Sequence, residues 1–220
     1  VQGTNGITGN GMDTPANWNQ DWDRPANIEI FDTAHTQTVN QEADIRIAGA
    51  WSRMNGEKSL VINPNKKFGK TEFDYDFFKA NKPGMKYRSF LFRNSGNDFF
   101  YSMMRDGLMQ SLVSKRMDID YTAYEPAVCF MNGVYYGIQN IRERSNEDYV
   151  YSNYGYDADD IKLIETWDMS SDTSFTKVSN YAANNDMTQS SVYNNLCNMI
   201  DIESFINYYM TEIYYGNTDW

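Results

Sequence analysis

The stretch AVCFM-NG-VYYGIQNI, residues 127–141, constrains the fold more than any other part of the chain. Two apolar runs of strand composition are joined by Asn132-Gly133 alone. A two-residue connection needs positive φ at both positions, which Asn and Gly adopt at low cost. The stretch therefore reads as an antiparallel hairpin, and the chain must build a sheet around it.

Other strands follow from period-2 patterning. RPANIEIFD places Ile28 and Ile30 on one face. In ADIRIAGA, Ile45 and Ile47 alternate with Asp44 and Arg46, and KSLVINP is a β-branched run ending at Pro64. GAWSRMNGE between them is a turn with Gly49 and Gly56 near its ends. MKYRSFLFRN, residues 85–94, is a further strand candidate.

Helical spacing takes over later. Phe99, Met103, Met104, Leu108 and Leu112 predict a helix over 98–117, capped by Asn97 or Asp98. RERSNEDYVYSNYG predicts a short helix with Ser145 as cap and Asp148 in capping-box position. DIKLIET reads as a strand. From Asp172 onward the pattern is helical, and the last helix is the clearest. Asp201 caps it, Phe205, Tyr208, Tyr209 and Ile213 share a face, and Gly216 stops it. The fold class is α+β, with a sheet-rich first half and a helical second half. The first 20 residues, rich in Gly, Asn and Thr, read as a flexible segment.

With 220 residues, the chain suits one large domain or two lobes. The net charge of −11 opposes nonspecific binding to nucleic acid or anionic membrane. No apolar run reaches the ~18 residues of a membrane span, and no signal peptide is present. Cys129 and Cys197 read as buried thiols, with one disulfide possible, and no Cys spacing suits a metal. The single His35 sits in a loop-like segment.

Candidate chemistry centres on Trp51–Lys70. This stretch holds Arg53, Lys58, Lys66, Lys67 and Lys70 against one acid, Glu57. A polyanion such as a triphosphate needs fixed cations and free backbone N–H groups, which a glycine-containing turn supplies. A lysine-protected hairpin edge would have the same composition. Asp106, next to Arg105 on the long helix, could pair with a sheet lysine and hold it toward phosphate, or be an exposed helix charge. Glu143 leaves the sheet where the helical half begins, a place that suits a ligand cleft or a charged connector. Asp219 follows a helix stop, where an acid can meet a hydroxyl or simply turn the backbone. Trp18, Trp22 and Trp51 with the tyrosines of 149–156 could form a sugar-stacking platform, or core.

Taken in order, the strand pair IRIAGAWSRMNGEKSLVI, NDFFYSMMRDGLMQSLV, the hairpin AVCFMNGVYYGIQNIRER and the closing YYMTEIYYGNTDW resemble the CotH kinase family over roughly residues 25–220. The matching positions are Ser52-Arg53, Lys58-Ser59, Asn132-Gly133 with Tyr136-Gly137, Glu143 and Asn217-Thr218-Asp219.

The resemblance implies an atypical protein-kinase fold. A flexible segment (1–24) would precede a sheet-rich N-lobe (25–142) with one long helix and a mainly helical, incomplete C-lobe (143–220). It implies transfer of phosphate from ATP to Ser or Thr of a protein, with Mg or another divalent metal, in a secreted or cell-surface setting. Arg53 and Lys58 would contact phosphate, Glu143 would lie at the adenine-side hinge, and Asp219 would be the catalytic acid. Strand order alone would place the phosphate cation near Lys86, Arg88 or Arg93, and Arg93 is kept as the alternative to Lys58. The family's metal-binding Asn and Asp lie beyond a position equivalent to Trp220, so no metal ligand is assigned and the 220-residue chain is expected to be nearly inactive. A non-catalytic surface module on the same fold, binding glycan or protein, is the rival reading.

Overall fold

A computed structural model describes residues 16–164 and 172–218. Six strands form one antiparallel sheet in the order β1-β2-β3-β4-β6-β5. They are β1 Arg24–Phe31, β2 Gln37–Ala48, β3 Ser59–Asn63, β4 Phe90–Arg93, β5 Tyr124–Met131 and β6 Val134–Glu143. Five α-helices accompany them: α1 Arg105–Val113, α2 Glu147–Tyr154, α3 Thr173–Asn184, α4 Ser190–Cys197 and α5 Ile202–Tyr215. The chain divides into two compact units. One takes residues up to 111 together with 122–160, and the other takes 112–121 and the residues from 161 onward.

In the first unit the expected hairpin is present as β5–β6. Asn132 and Gly133 have φ of 51° and 77°, the two positive values that this short turn requires. The centre of the sheet is β3, where Leu60, Val61 and Ile62 are all buried. A strand covered on both faces needs an unbroken apolar run, and SLVIN supplies one. Phe90 of β4 is fully buried and meets the rings of Phe73, Phe77 and Phe92 at centroid distances of 4.8, 4.9 and 5.4 Å. Phe78 and Tyr87 extend this aromatic core.

Register sorts the side chains of β4 and β6 between two faces. The pairs Phe90–Glu143 and Phe92–Ile141 alternate with Leu91–Arg142 and Arg93–Asn140. Helix α1 lies on the Arg93 and Arg142 face. Its Gly107 packs against the ring of Tyr124, the β5 partner of Arg142, and a Cβ at Gly107 would fall 2.6 Å from that ring.

Several sequence expectations change. The helix expected over 98–117 is confined to Arg105–Val113. The cause is Asp98, whose buried carboxylate accepts N–H groups of Ser102, Met104 and Arg105. It winds residues 96–104 into tight turns, with Ser95 and Met103 at positive φ, and caps α1 only at its observed start. The strand expected over 85–94 shortens to Phe90–Arg93, and Tyr87 forms an isolated bridge with Phe73. Asn146, not Ser145, caps α2, while Asp148 accepts from the Ser89 hydroxyl. Asp160 ends a short helical turn, residues 161–164 form no strand, and residues 165–166 of DIKLIET lie outside the described residues. Within the segment expected to be flexible, residues 17–19 form a short turn of helix with Trp18 buried.

The second unit holds α3, α4 and α5. Asp172 and Asp201 cap α3 and α5, and Gly216 ends α5 in the left-handed conformation at φ 62°. The Asp201 cap and the Gly216 stop follow the sequence reading; the sequence marked Asp172 only as the start of the helical pattern. The shared apolar face of α5 does not become core: Phe205, Tyr208, Tyr209 and Ile213 are all exposed. Among the described residues, Asn207 and Thr211 of this helix reach back to Asp118 and Met117.

Candidate functional site

The 49–59 turn is built around Lys58. Its ammonium is buried and donates to the carbonyls of Arg53 at 2.7 Å and Asn55 at 2.9 Å, and it lies 5.0 Å from the centre of the Trp18 ring. No carboxylate pairs with it among the described residues, and burial lowers its pKa. Arg53 donates to the Gly49 carbonyl and lies 3.4 Å from Asp21. Ser59 and fully buried Asn94 lock the turn to β4: the Ser59 hydroxyl donates to Asn94 Oδ1, and the Asn94 amide donates to the carbonyls of Ser52 and Glu57. The structure thus brings Arg53 and Lys58 into one turn, where two of the three N–H donors of Lys58 hold the turn shut.

Arg93 and Asp106 make the second cluster. Asp106 is not the exposed helix charge that its spacing allows. Arg93 Nε donates to its Oδ2 at 2.8 Å, and Arg142 Nη1 donates to its Oδ1. Arg142 also donates from Nη2 to Thr122, and Gln110 of α1 accepts from both the N–H and the hydroxyl of Thr122. Arg142 is only 3 % exposed; burial first, then the like charge of Arg93, brings its pKa down to about 10. The terminal nitrogens of Arg93 have no acceptor among the described residues. Its guanidinium rests against Gly96, φ 56°, where a Cβ would stand 2.9 Å from Nη2. A planar fork with open donors, held by an acid on a helix, has the chemistry to take a phosphate oxygen pair.

Glu143 lies on the opposite face of the sheet from Arg93 and Arg142. Lys82 donates to its Oε2 at 2.6 Å, the Ala123 N–H to the same oxygen at 2.7 Å, and Asn153 to Oε1 at 2.9 Å. Both charged side chains are buried. Glu143 therefore fastens α2 and the 79–84 loop to the end of β6, which excludes the exposed-connector reading. Arg88 over the Tyr151 ring and Ser152 on the Lys86 carbonyl complete that attachment.

Other candidates fall outside these clusters. Asp219 lies outside the described residues. Lys66 and Lys70 line an open hollow of about 370 Å³ with Gly69, Thr71, Glu72 and Asp74, which includes none of Arg53, Lys58, Arg93 or Glu143. Among the described residues no group of three His, Cys, Asp or Glu side chains converges to hold a metal. No described helix is long and apolar enough to cross a membrane. Cys129 and Cys197 are free and half-buried, so the possible disulfide is not formed; burial pushes the Cys129 thiol up to about 11, which makes it a poor nucleophile. Of the residues named for a sugar platform, Trp18 is buried and the Tyr149 and Tyr151 rings are covered by Lys82 and Arg88, whereas Trp51, Tyr154 and Tyr156 are exposed.

Sequence reasoning did not single out Arg142, Lys82 or Asn94. Period 2 along IRER gave the one available signal, since it puts Arg142 on the opposite face from Glu143. No signal pointed to Lys82, whose partner is 61 residues away.

No curated protein matches the chain. The family model described as CotH kinase protein matches residues 45–220, which contain all three clusters except Trp18 and Asp21. The chain belongs to the CotH kinase protein family.

Proposed function

We propose that the chain binds ATP through its phosphates on the α1 face of the sheet and acts as a kinase-like module that delivers the γ-phosphate to a Ser or Thr hydroxyl of a protein. The observation that carries the reading is the Arg93–Asp106 bond, in which an acid on the helix after β4 holds a sheet cation whose outer donors are open. In phosphoryl transfer the protein chiefly positions the nucleotide and offsets its charge, and such an acid–cation pair does that work. Arg93 is favoured over Lys58 as the phosphate contact, because Lys58 is engaged with the carbonyls of its own turn.

In this reading Arg93 orients the phosphates. Asp219 takes the proton of the substrate hydroxyl while its oxygen bonds to γ-phosphorus and the bond to the ADP leaving oxygen breaks. A divalent metal would neutralise charge on the phosphates, but the described residues gather no ligand set for it. Binding is the measurement that reads the phosphate contact directly.

Calorimetric titration of the 220-residue chain with ATP and with adenosine tests the reading. ATP should bind more tightly than adenosine, and Arg93→Gln should remove about tenfold or more of that preference, the scale of a lost charge-assisted bidentate contact. Equal affinity for ATP and adenosine, or an ATP affinity unchanged in Arg93→Gln, overturns it.

A further inference from the structure

We infer that Arg142 is a positioning residue that keeps the charge of Arg93 available to phosphate, by taking half of the carboxylate they share; the inference rests on the nucleotide reading above. Each oxygen of Asp106 receives one guanidinium, Oδ2 from Arg93 and Oδ1 from Arg142. A one-to-one pair on this face would be neutral. Two arginines on one aspartate leave a net charge of about +1 beside the outer nitrogens of Arg93.

Of the neighbouring carboxylates, Glu143 acts on Arg142 through space, but each is matched by a cation of its own. Glu143 is turned to the other face and bound to Lys82, and Asp98 is bound to Arg105. Nor is Arg142 itself a ligand candidate. It is buried, both terminal nitrogens are committed to Asp106 and Thr122, and its Nε has no partner. An arginine buried with an unsatisfied donor beside another arginine is unfavourable for stability alone. Thr122, held by Gln110 of α1, fixes it there, while Gly96 makes room for the Arg93 fork. Arg93 is thereby aimed and Arg142 withdrawn, and the excess charge is presented at one edge.

The test is a charge count read by calorimetry with ATP, ADP and adenosine on the 220-residue chain. Arg142→Gln leaves Arg93 and Asp106 a neutral pair, and ATP affinity should fall about tenfold, the scale of one unit charge removed a few ångströms from a polyphosphate at a partly exposed site. Adenosine affinity should not move, and Arg142→Lys should retain most of the ATP affinity. Adding Asp106→Asn to Arg142→Gln returns the net charge to +1, keeps one side-chain oxygen to hold Arg93 Nε, and should recover ATP binding. A role confined to packing gives the opposite order, with the double variant weakest. The inference is overturned if Arg142→Gln binds ATP like the parent chain, or if the double variant binds more weakly than Arg142→Gln. Should Arg142→Gln not fold, the double variant with Asp106→Asn reads the same quantity against the parent, and an ATP affinity about tenfold or more below the parent's in it overturns the inference. A parent chain that prefers ATP no more than adenosine instead overturns the nucleotide reading itself.

Discussion

Replacing Glu143 by Leu should destabilise the sheet-containing unit by about 3–5 kcal/mol, the usual cost of removing one partner of a buried ion pair. The structure fixes the components. Lys82 Nζ lies 2.6 Å from the carboxylate, the Ala123 N–H shares the same oxygen, and Asn153 occupies the other. Leu at 143 leaves a buried ammonium beside the Tyr149 ring and deprives the Ala123 N–H of its carboxylate acceptor, worth about 1–3 kcal/mol by itself. Lys82→Met should cost less, about 2–3 kcal/mol, because the carboxylate keeps two N–H donors. The double variant should cost at least about 1 kcal/mol less than the sum, since neither buried charge remains. Urea unfolding at neutral pH, followed by fluorescence with the slope m unchanged, measures all three. Single variants within about 0.5 kcal/mol of the parent, or strictly additive costs, would refute the argument.

Two further outcomes follow from the α1 region. Gly107→Ala, which in an exposed helix would add about 1 kcal/mol of stability, should here reduce it, because the new methyl meets the Tyr124 ring; a raised thermal midpoint would count against the close packing of α1 on β5. Burial alone would raise the Asp98 carboxyl, but the Ser102 hydroxyl, the N–H groups of Arg105 and Ser102 and the Arg105 charge together hold it below its ordinary value. Its folded pKa being the lower one, the stabilisation is complete above about pH 4 and is lost as pH falls through the folded value. The gap in unfolding midpoint between the parent and Asp98→Asn should therefore close on acidification below about pH 4, and a gap independent of pH would contradict it.

Local rules were readable where a few adjacent residues decide the conformation. Asn132-Gly133 required its turn, Asp201 and Gly216 bounded α5, and the alternation in IRIA exposed a half-buried strand. The same rules failed at 98–104. There the apolar spacing suits a helix, but one buried carboxylate collects backbone N–H groups from the following residues and delays the helix to Arg105. The family was legible because its motifs follow one another in a fixed order. The partners within the clusters were not, because they depend on contacts across strands: Arg93 and Arg142 lie 49 positions apart in sequence, and only the pairing of β4 with β6 sets them side by side. Lys58, singled out for its place in a basic stretch, needed coordinates to reveal which atoms its ammonium meets.

The match to the family begins at residue 45, inside β2, yet the sheet begins earlier. β1 pairs along its whole length with β2, and Trp18 covers the ammonium at the heart of the 49–59 turn. A chain trimmed at the family boundary would lose β1 and Gln37–Asp44 of β2, would keep Ile45–Ala48 paired with β3 as a short edge, and would strip Trp18 from the Lys58 ammonium. The loss that counts is buried surface, because Trp18, Ile28, Val39 and Ala43 go with the trimmed part, so a piece that keeps this side of the core intact retains residues 16–44.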